Sequence, residues 1–298
     1  MVSITGWSRI FTGKVNDVYA PVHPLAHGGG EVLLLVSSDR MSVLDRVMPT
    51  IIPDKGEVVN SISQWWFKRL REITPNHFLD QDVPESVRGR AMLVRRLRMF
   101  PFELTVVGYM TAACFAQYQA TGKLAGQRLP KGLKVGDRLA EPLFLPAIKG
   151  DVGYDDEPIS FSAMKKIAGK QEANKLRQIS LELYLAANEI AQAKGLIIAD
   201  VKLEFGTPSD PGDEEIVLGD QAFTPDTATY WIADEVAQGK PRSFGKDYVR
   251  DAVERNVPQW AGNVPGVLDT GEMPAISADV VEEMSCRYKY VRSELFKP

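Results

Sequence analysis

The stretch Ala199-Asp200-Val201-Lys202-Leu203-Glu204-Phe205-Gly206 alternates between charged and apolar residues. A period of two marks a β-strand, with Asp200, Lys202 and Glu204 on one face and Val201, Leu203 and Phe205 turned to a core. Charges on one face of an otherwise buried strand are costly unless they meet a ligand, a metal or each other. Carboxylates with a lysine suit a magnesium nucleotide; an edge strand with a solvated face is the competing account. Upstream, residues 162–194 have helical spacing. Downstream, residues 215–218 form a short apolar strand, reached from strand 195–205 through a Pro/Asp/Gly turn at 208–213. If the two strands pair, Asp220 in Leu218-Gly219-Asp220-Gln221 reaches Glu204, and the two carboxylates can share one magnesium ion.

Working outward, residues 8–20 predict a strand, a turn at Gly13-Lys14 and a second strand. Residues 23–30 form a Pro/Gly-rich connector, 31–38 a buried strand, and 91–98 with 102–107 a strand pair about Phe100-Pro101. Residues 56–73 carry Val58, Ile62, Trp65, Trp66 and Leu70 at helical spacing. Further helices are expected over 110–120, 244–254 and 278–296. Strand runs followed by helix-rich runs predict an α+β protein of two lobes, a small antiparallel N-terminal lobe over 1–107 and a larger mixed lobe over 108–298.

The bulk composition narrows the function classes. The chain has 298 residues, 44% hydrophobic and 25% charged, ordinary usage for a globular protein with a large core. A formal net charge of -4 offers no basic excess for a nucleic-acid partner. Cys114 and Cys286 stand far apart, so neither a disulfide framework nor a zinc pattern is expected, and a reducing, cytoplasmic setting fits. The first residues lack the charged and apolar regions of a signal peptide, and no apolar run has membrane-spanning length.

Other motifs carry chemistry. Gly13-Lys14-Val15 in a hairpin lets backbone N–H groups approach phosphates, with the lysine as a point charge; an ordinary hairpin turn is the plainer account. Ser38-Asp39-Arg40-x-Ser42-x-x-Asp45 and Pro53-Asp54-Lys55-Gly56 gather polar groups directly after a buried strand, as a cleft floor or a solvated loop does. Thr224-Pro225-Asp226 follows the second strand, and Ser243-Phe244-Gly245-Lys246 leads to Val249-Arg250-Asp251. With Glu141-Pro142…Pro146-Ala147-Ile148-Lys149, Asp156-Glu157-Pro158-Ile159-Ser160 and Ala199 to Gly206, these segments resemble, in order over nearly the whole chain, the SAICAR synthetase family.

The resemblance implies a two-lobed fold with ATP in the cleft, the 1–107 lobe binding nucleotide and the 108–298 lobe binding substrate and magnesium. It implies an ATP- and Mg-dependent ligase that phosphorylates a carboxylate and joins it to an amino acid, aspartate by default. Gly13, Lys14 and Val15 would hold phosphates, Arg96 and Glu103 would sit near the nucleotide, and Glu204 and Asp220 would bind Mg. Lys14, Lys202 and Asp200 would act in catalysis. Asp39, Arg40, Ser42, Asp45, Lys55, Asp200, Lys202, Lys246 and Arg250 would face substrates. The partners are then a small carboxylic acid and an amino acid, with a homo-oligomer as family members often form.

The departures from the family concern the acceptor. The family binds its ribotide phosphate with two arginines and a serine, where this chain has Val107, Thr229 and Ala113. Asp155, Gln221, Gly245 and Asp247 are further departures. A phosphate dianion needs charge-assisted donors. The expected acceptor is therefore a non-ribotide acid in specialised metabolism. The alternatives are an authentic SAICAR synthase of purine biosynthesis, with the phosphate held by Arg95, Arg98 or Arg128, and an inactive nucleotide-binding homologue.

Overall fold

The computed structural model describes residues 3–23, 31–43, 46–124, 126–150, 156–209, 212, 214–256 and 274–298. Asp45, Asp155, most of the 23–30 connector and part of the 208–213 turn lie outside them. The chain runs β1 (Trp7–Thr12), β2 (Asn16–Pro21), β3 (Val32–Ser37), β4 (Arg40–Val43), β5 (Arg46–Ile51), α1 (Lys55–Leu70), β6 (Phe78–Leu79), β7 (Ala91–Arg95), β8 (Leu97–Met99) and β9 (Phe102–Tyr109). Then follow α2 (Ala112–Thr121), β10 (Lys123–Leu124), β11 (Gln127–Arg128), β12 (Arg138–Ile148), β13 (Glu157–Pro158), α3 (Phe161–Ala168), α4 (Lys170–Gln192) and β14 (Leu196–Leu203). β15 (Phe205–Pro208), β16 (Val217–Leu218), β17 (Ala228–Ile232), α5 (Ala233–Ala237), α6 (Asp247–Asn256) and α7 (Ala278–Phe296) complete it.

Two antiparallel sheets dominate, ordered β1-β2-β3-β7-β6 and β13-β12-β9-β14-β17. The α+β expectation holds. The alternating stretch forms β14 and the step into β15, and β14 lies between β9 and β17, so the solvated-edge account fails. Val201, Leu203 and Phe205 are buried, while Asp200, Lys202 and Glu204 are half-buried on the opposite face. Opposed residues of an antiparallel pair share a face, so the register Lys202↔Thr105 and Leu203↔Leu104 sets Glu103 and Thr105 of β9 beside these charges.

Some elements differ from expectation. Strands β7 and β9 do not pair with each other: β7 lies beside β3 and β6, and Phe100-Pro101 carries the chain across to the second sheet. The 162–194 stretch breaks into α3 and α4 at Gly169, whose φ of +90 suits only glycine. Strand β16 pairs with β15 rather than β14, yet the register Phe205↔Leu218 still brings Asp220 next to Glu204. Strands β12 and β17 were not anticipated. Pro142 and Pro146 obscure the strand pattern of β12, as proline does in any ladder.

The core runs across both sheets. One apolar cluster joins Leu35, Met92 and Val94 of the first sheet to Leu104, Val106, Val201 and Leu203 of the second. Ile62 and Trp66 of α1, Leu183 of α4 and Val291 of α7 belong to the same cluster. The expected lobe boundary at 107 falls inside β9. Among the described residues, no helix is long and apolar enough to cross a membrane.

Candidate active site

Two cavities meet on the polar face of β14. The first, about 350 Å³, has an apolar wall from the first sheet that includes Leu33, Leu35 and Val94, and a polar end with Lys14, Glu103, Lys149, Glu204 and Asp220. The second, about 340 Å³, is lined by Thr105, Thr111, Ala113, Asp200, Thr229, Asp247 and Arg250 among others. Ser42, Lys202, Asp226, Thr227 and Lys246 line both, so they mark the junction.

The β1–β2 hairpin covers one side of the first cavity. Gly13 N–H donates to the Asn16 carbonyl at 2.8 Å and closes the turn. The carbonyls of Gly13 and Lys14 accept from the Arg40 guanidinium at 3.1 and 3.3 Å. That of Val15 accepts from the Ser38 hydroxyl at 2.6 Å. Arg40 also pairs with Asp17 at 2.8 Å. The Ser-Asp-Arg segment is thus the hairpin's foundation.

Burial raises the Glu204 carboxyl above its ordinary range, and Asp220 beside it pushes further; Lys149, 2.5 Å from Glu204, pulls the other way. Burial likewise raises Asp220, with Lys149 opposing. Two buried acids side by side are disposed to a shared cation, and Mg²⁺ needs only one or two protein carboxylates when substrate phosphates and water supply the rest. No group of three or more His, Cys, Asp or Glu with metal-site geometry occurs among the described residues. Two carboxylates fit magnesium that takes its remaining ligands from a nucleotide and water. Across the same end, Lys202 pairs with Glu103 at 2.5 Å. Burial lifts the Glu103 carboxyl to about 7, Lys202 offsetting part of the effect.

In the second cavity, burial first and Asp247 second raise the Asp200 carboxyl to about 6. Asp200 accepts from Thr229 N–H at 3.2 Å, the Thr229 hydroxyl donates to Asp247 at 3.3 Å, and Asp247 pairs with Arg250 at 3.0 Å. Lys246 donates to the Ser42 hydroxyl at 3.3 Å, and burial lowers its pKa below the ordinary lysine value. Cations on both sides of a junction flanked by carboxylates can bind two anions end to end and neutralise charge passing between them.

Comparison with known proteins gives the family. The SAICAR synthetase family model matches residues 9–267. A phosphoribosylaminoimidazole-succinocarboxamide synthase of Saccharopolyspora erythraea is 40% identical over 97% of this chain and 93% of its own length. One from Salinispora arenicola is 39% identical over 96% of this chain and 97% of its own. The chain belongs to the SAICAR synthetase family. A solved SAICAR synthase from Saccharomyces cerevisiae, complexed with SAICAR, superimposes with a TM-score of 0.78 at 27% identity, covering 99% of this chain and 97% of that one. Like its family, the chain is an ATP-dependent carbon–nitrogen ligase of the acid–amino acid type.

Against the SAICAR synthetase expectations, Gly13, Lys14, Val15, Ser42, Glu103, Asp200, Lys202, Glu204, Asp220, Lys246 and Arg250 all line one cavity or both. Others are placed differently. Arg96 points away: its guanidinium pairs with Glu31 at 2.5 Å on the surface, while its neighbour Arg95 lines the first cavity. Successive side chains at the end of a strand leave by opposite faces, so one position decides the outcome. Lys55 lines neither cavity; fully buried, it pairs with Asp226 at 2.5 Å. Asp39 accepts from Gly56 N–H at 2.9 Å, seating the start of α1. Of the family-atypical positions, Ala113 and Thr229 line the second cavity. Val107, opposite Asp200, is covered by Met110, Leu124 and Leu143. Of the arginines considered as substitutes, Arg98 donates to Thr207 on the exposed face of β8, and Arg128 is exposed on β11. The guanidinium among the second cavity's described lining residues is that of Arg250.

Sequence reasoning gave no site role to His77, Lys149, Asp156 or Asp226, all of which line the first cavity. His77 is buried, which lowers its pKa to about 4 and keeps it neutral near pH 7. One signal was available: a histidine in the Pro75-Asn76-His77 strap, between a helix end and a short strand, in a chain with three histidines.

Proposed function

We propose that this chain joins the amine of aspartate to the carboxylate of an aminoimidazole ribotide with consumption of ATP, the reaction for which its curated relatives are named. The observation that carries the reading is the junction of the two cavities at Lys202 and Lys246, with Glu204 and Asp220 on one side and Arg250 on the other. The nucleotide would occupy the first cavity, its base against the Leu33–Leu35–Val94 wall and its phosphates under the hairpin near Lys14. A carboxylate oxygen of the acceptor attacks the γ-phosphorus and ADP leaves. The aspartate amine then attacks the acyl carbon, the acyl C–O bond breaks, inorganic phosphate leaves and the amine gives up a proton. Lys14 and Lys202 neutralise the transferred phosphoryl, and Asp200 with Lys202 orients the reacting carboxylate and amine. Magnesium held by Glu204 and Asp220 would supply charge neutralisation at the β- and γ-phosphates.

A second reading, an unphosphorylated carboxylic acid as acceptor, is favoured by one specific observation. Arg250 is already paired with Asp247, and Asp200, Ala113 and Thr229 share that end of the cavity, a poor setting for a dianion. ADP release in the presence of aspartate decides between them. Efficient turnover of the ribotide removes the second reading. Turnover of the dephosphorylated riboside or another acid, with the ribotide inert, removes the first. Absence of ADP release with every acceptor tried would leave only a nucleotide-binding role.

A further inference from the structure

Asp220 holds a φ of +48. That left-handed backbone is uncommon for any residue but glycine and persists only where its surroundings over-determine it. Here the segment after α1 does so. Leu218 N–H donates to the Pro75 carbonyl at 2.9 Å, and His77 N–H donates back to the Leu218 carbonyl at 3.0 Å. The Thr74 hydroxyl donates to the Ile216 carbonyl at 3.3 Å. The last contact of the strap reaches the turn itself: His77 Nε2 lies 2.9 Å from the Asp220 carbonyl oxygen. A carbonyl only accepts, so the proton is on Nε2. The edge of Phe67 against the ring, centroids 5.3 Å apart, fixes its orientation. From the other side, Gly219 N–H donates to the Glu204 carbonyl at 2.9 Å. Asp220 is thus held through its backbone, and the residue lines the first cavity.

We propose that His77 is a positioning residue for the metal–nucleotide half of the reaction, its Nε2–H bond to the Asp220 carbonyl holding the left-handed turn that sets the Asp220 carboxylate beside Glu204. This rests on the reading of Glu204 and Asp220 as the magnesium pair. Mn²⁺ is the probe, its binding in the presence of ADP followed by the loss of the free-ion electron paramagnetic resonance signal. Supporting groups behind a metal ligand are typically worth about 10–100-fold in affinity. His77→Phe keeps an aromatic ring and removes the donor, and it should weaken Mn²⁺–ADP binding by about tenfold or more. His77→Gln retains a donor at similar reach and should recover affinity to within about threefold of the parent, while His77→Asn, too short, should not. Unaltered Mn²⁺ affinity in a folded His77→Phe, with only the melting temperature lowered, would overturn the proposal. Should His77→Phe not fold, equal affinities in the Gln and Asn variants would do the same. Asp220→Asn separates the two layers: unchanged Mn²⁺ binding there sinks the metal reading itself, whereas loss there with none in His77→Phe sinks only the role of His77.

Discussion

Asp200 shows how one side chain couples the site to stability. Its carboxyl is raised from 3.8 to about 6, by burial first and by Asp247 second. The folded state therefore holds this proton more tightly than the unfolded chain. Its contribution favours folding at low pH and is lost as pH rises from about 4 through 6. Asp200→Asn removes that penalty while its amide oxygen can still accept from Thr229. The apoprotein should gain stability at pH 7.5 and nothing at pH 4. Full burial would make the gain about 3 kcal/mol, and the partial exposure of Asp200 reduces it to about 1–2 kcal/mol. Urea unfolding at the two pH values measures it; a variant less stable than the parent at pH 7.5 would contradict the assignment. Catalysis should fall in the same variant, so the position trades stability for chemistry.

Hairpin β1–β2 is an element whose function depends on what lies beneath it. Arg40 donates to the Gly13 and Lys14 carbonyls and pairs with Asp17, so the turn at the cavity's side is braced by one guanidinium. Arg40→Gln should raise KM for ATP about tenfold, the equivalent of ~1.4 kcal/mol. The melting temperature should change little, because the hairpin lies at the sheet's edge. An unchanged KM would show that the turn holds its shape unaided. At the opposite extreme is the packing of β9 on α4. A Cβ built on Gly108 would lie 1.8 Å from the Tyr184 hydroxyl oxygen, which donates to the Ile198 carbonyl at 2.8 Å. Gly108→Ala must displace a buried ring and break that bond, and it should cost about 3 kcal/mol or more, seen as a lower urea midpoint at constant m-value. Tyr184→Phe should cost only about 1 kcal/mol. The alternation in 199–206 exposes strand β14 to sequence reasoning because each residue's face is fixed by the one before it. The partners of β7 and β9 are settled by contacts far along the chain, and the expected pair between them was consequently wrong.

Across the whole molecule, the site is joined to the C-terminal helix through a buried charge pair. Lys55 at the start of α1 pairs with Asp226, and the Tyr288 hydroxyl of α7 donates to the same carboxylate at 2.5 Å. Burial alone would raise Asp226, but Lys55 beside it, with Lys246, holds it below its ordinary value. Its stabilising contribution is therefore present at neutral pH and lost as pH falls below 3.8. Lys55→Met leaves a buried carboxylate without its cation and should destabilise by about 3–5 kcal/mol near pH 7. Lys55→Met with Asp226→Asn should recover much of that loss. Calorimetric melting of both variants provides the test; equal melting temperatures for the single variant and the parent would refute the structural role. Asp226 also lines both cavities, so the single variant should lose activity beyond its loss of stability.

The sequence by itself determined the polar face of β14, the glycine hairpin and the family. Those features are written in short spans, where spacing fixes which side chains share a face and ordered motifs accumulate. Only the tertiary structure decided that Lys55 is a buried counterion rather than a substrate contact, that Arg95 rather than Arg96 enters the cavity, and that His77 braces Asp220 from a strap some 140 residues away. The reason is physical. The role of a lysine or histidine is set by the dielectric around it and by the partner it meets, and both come from chain segments brought together only by folding.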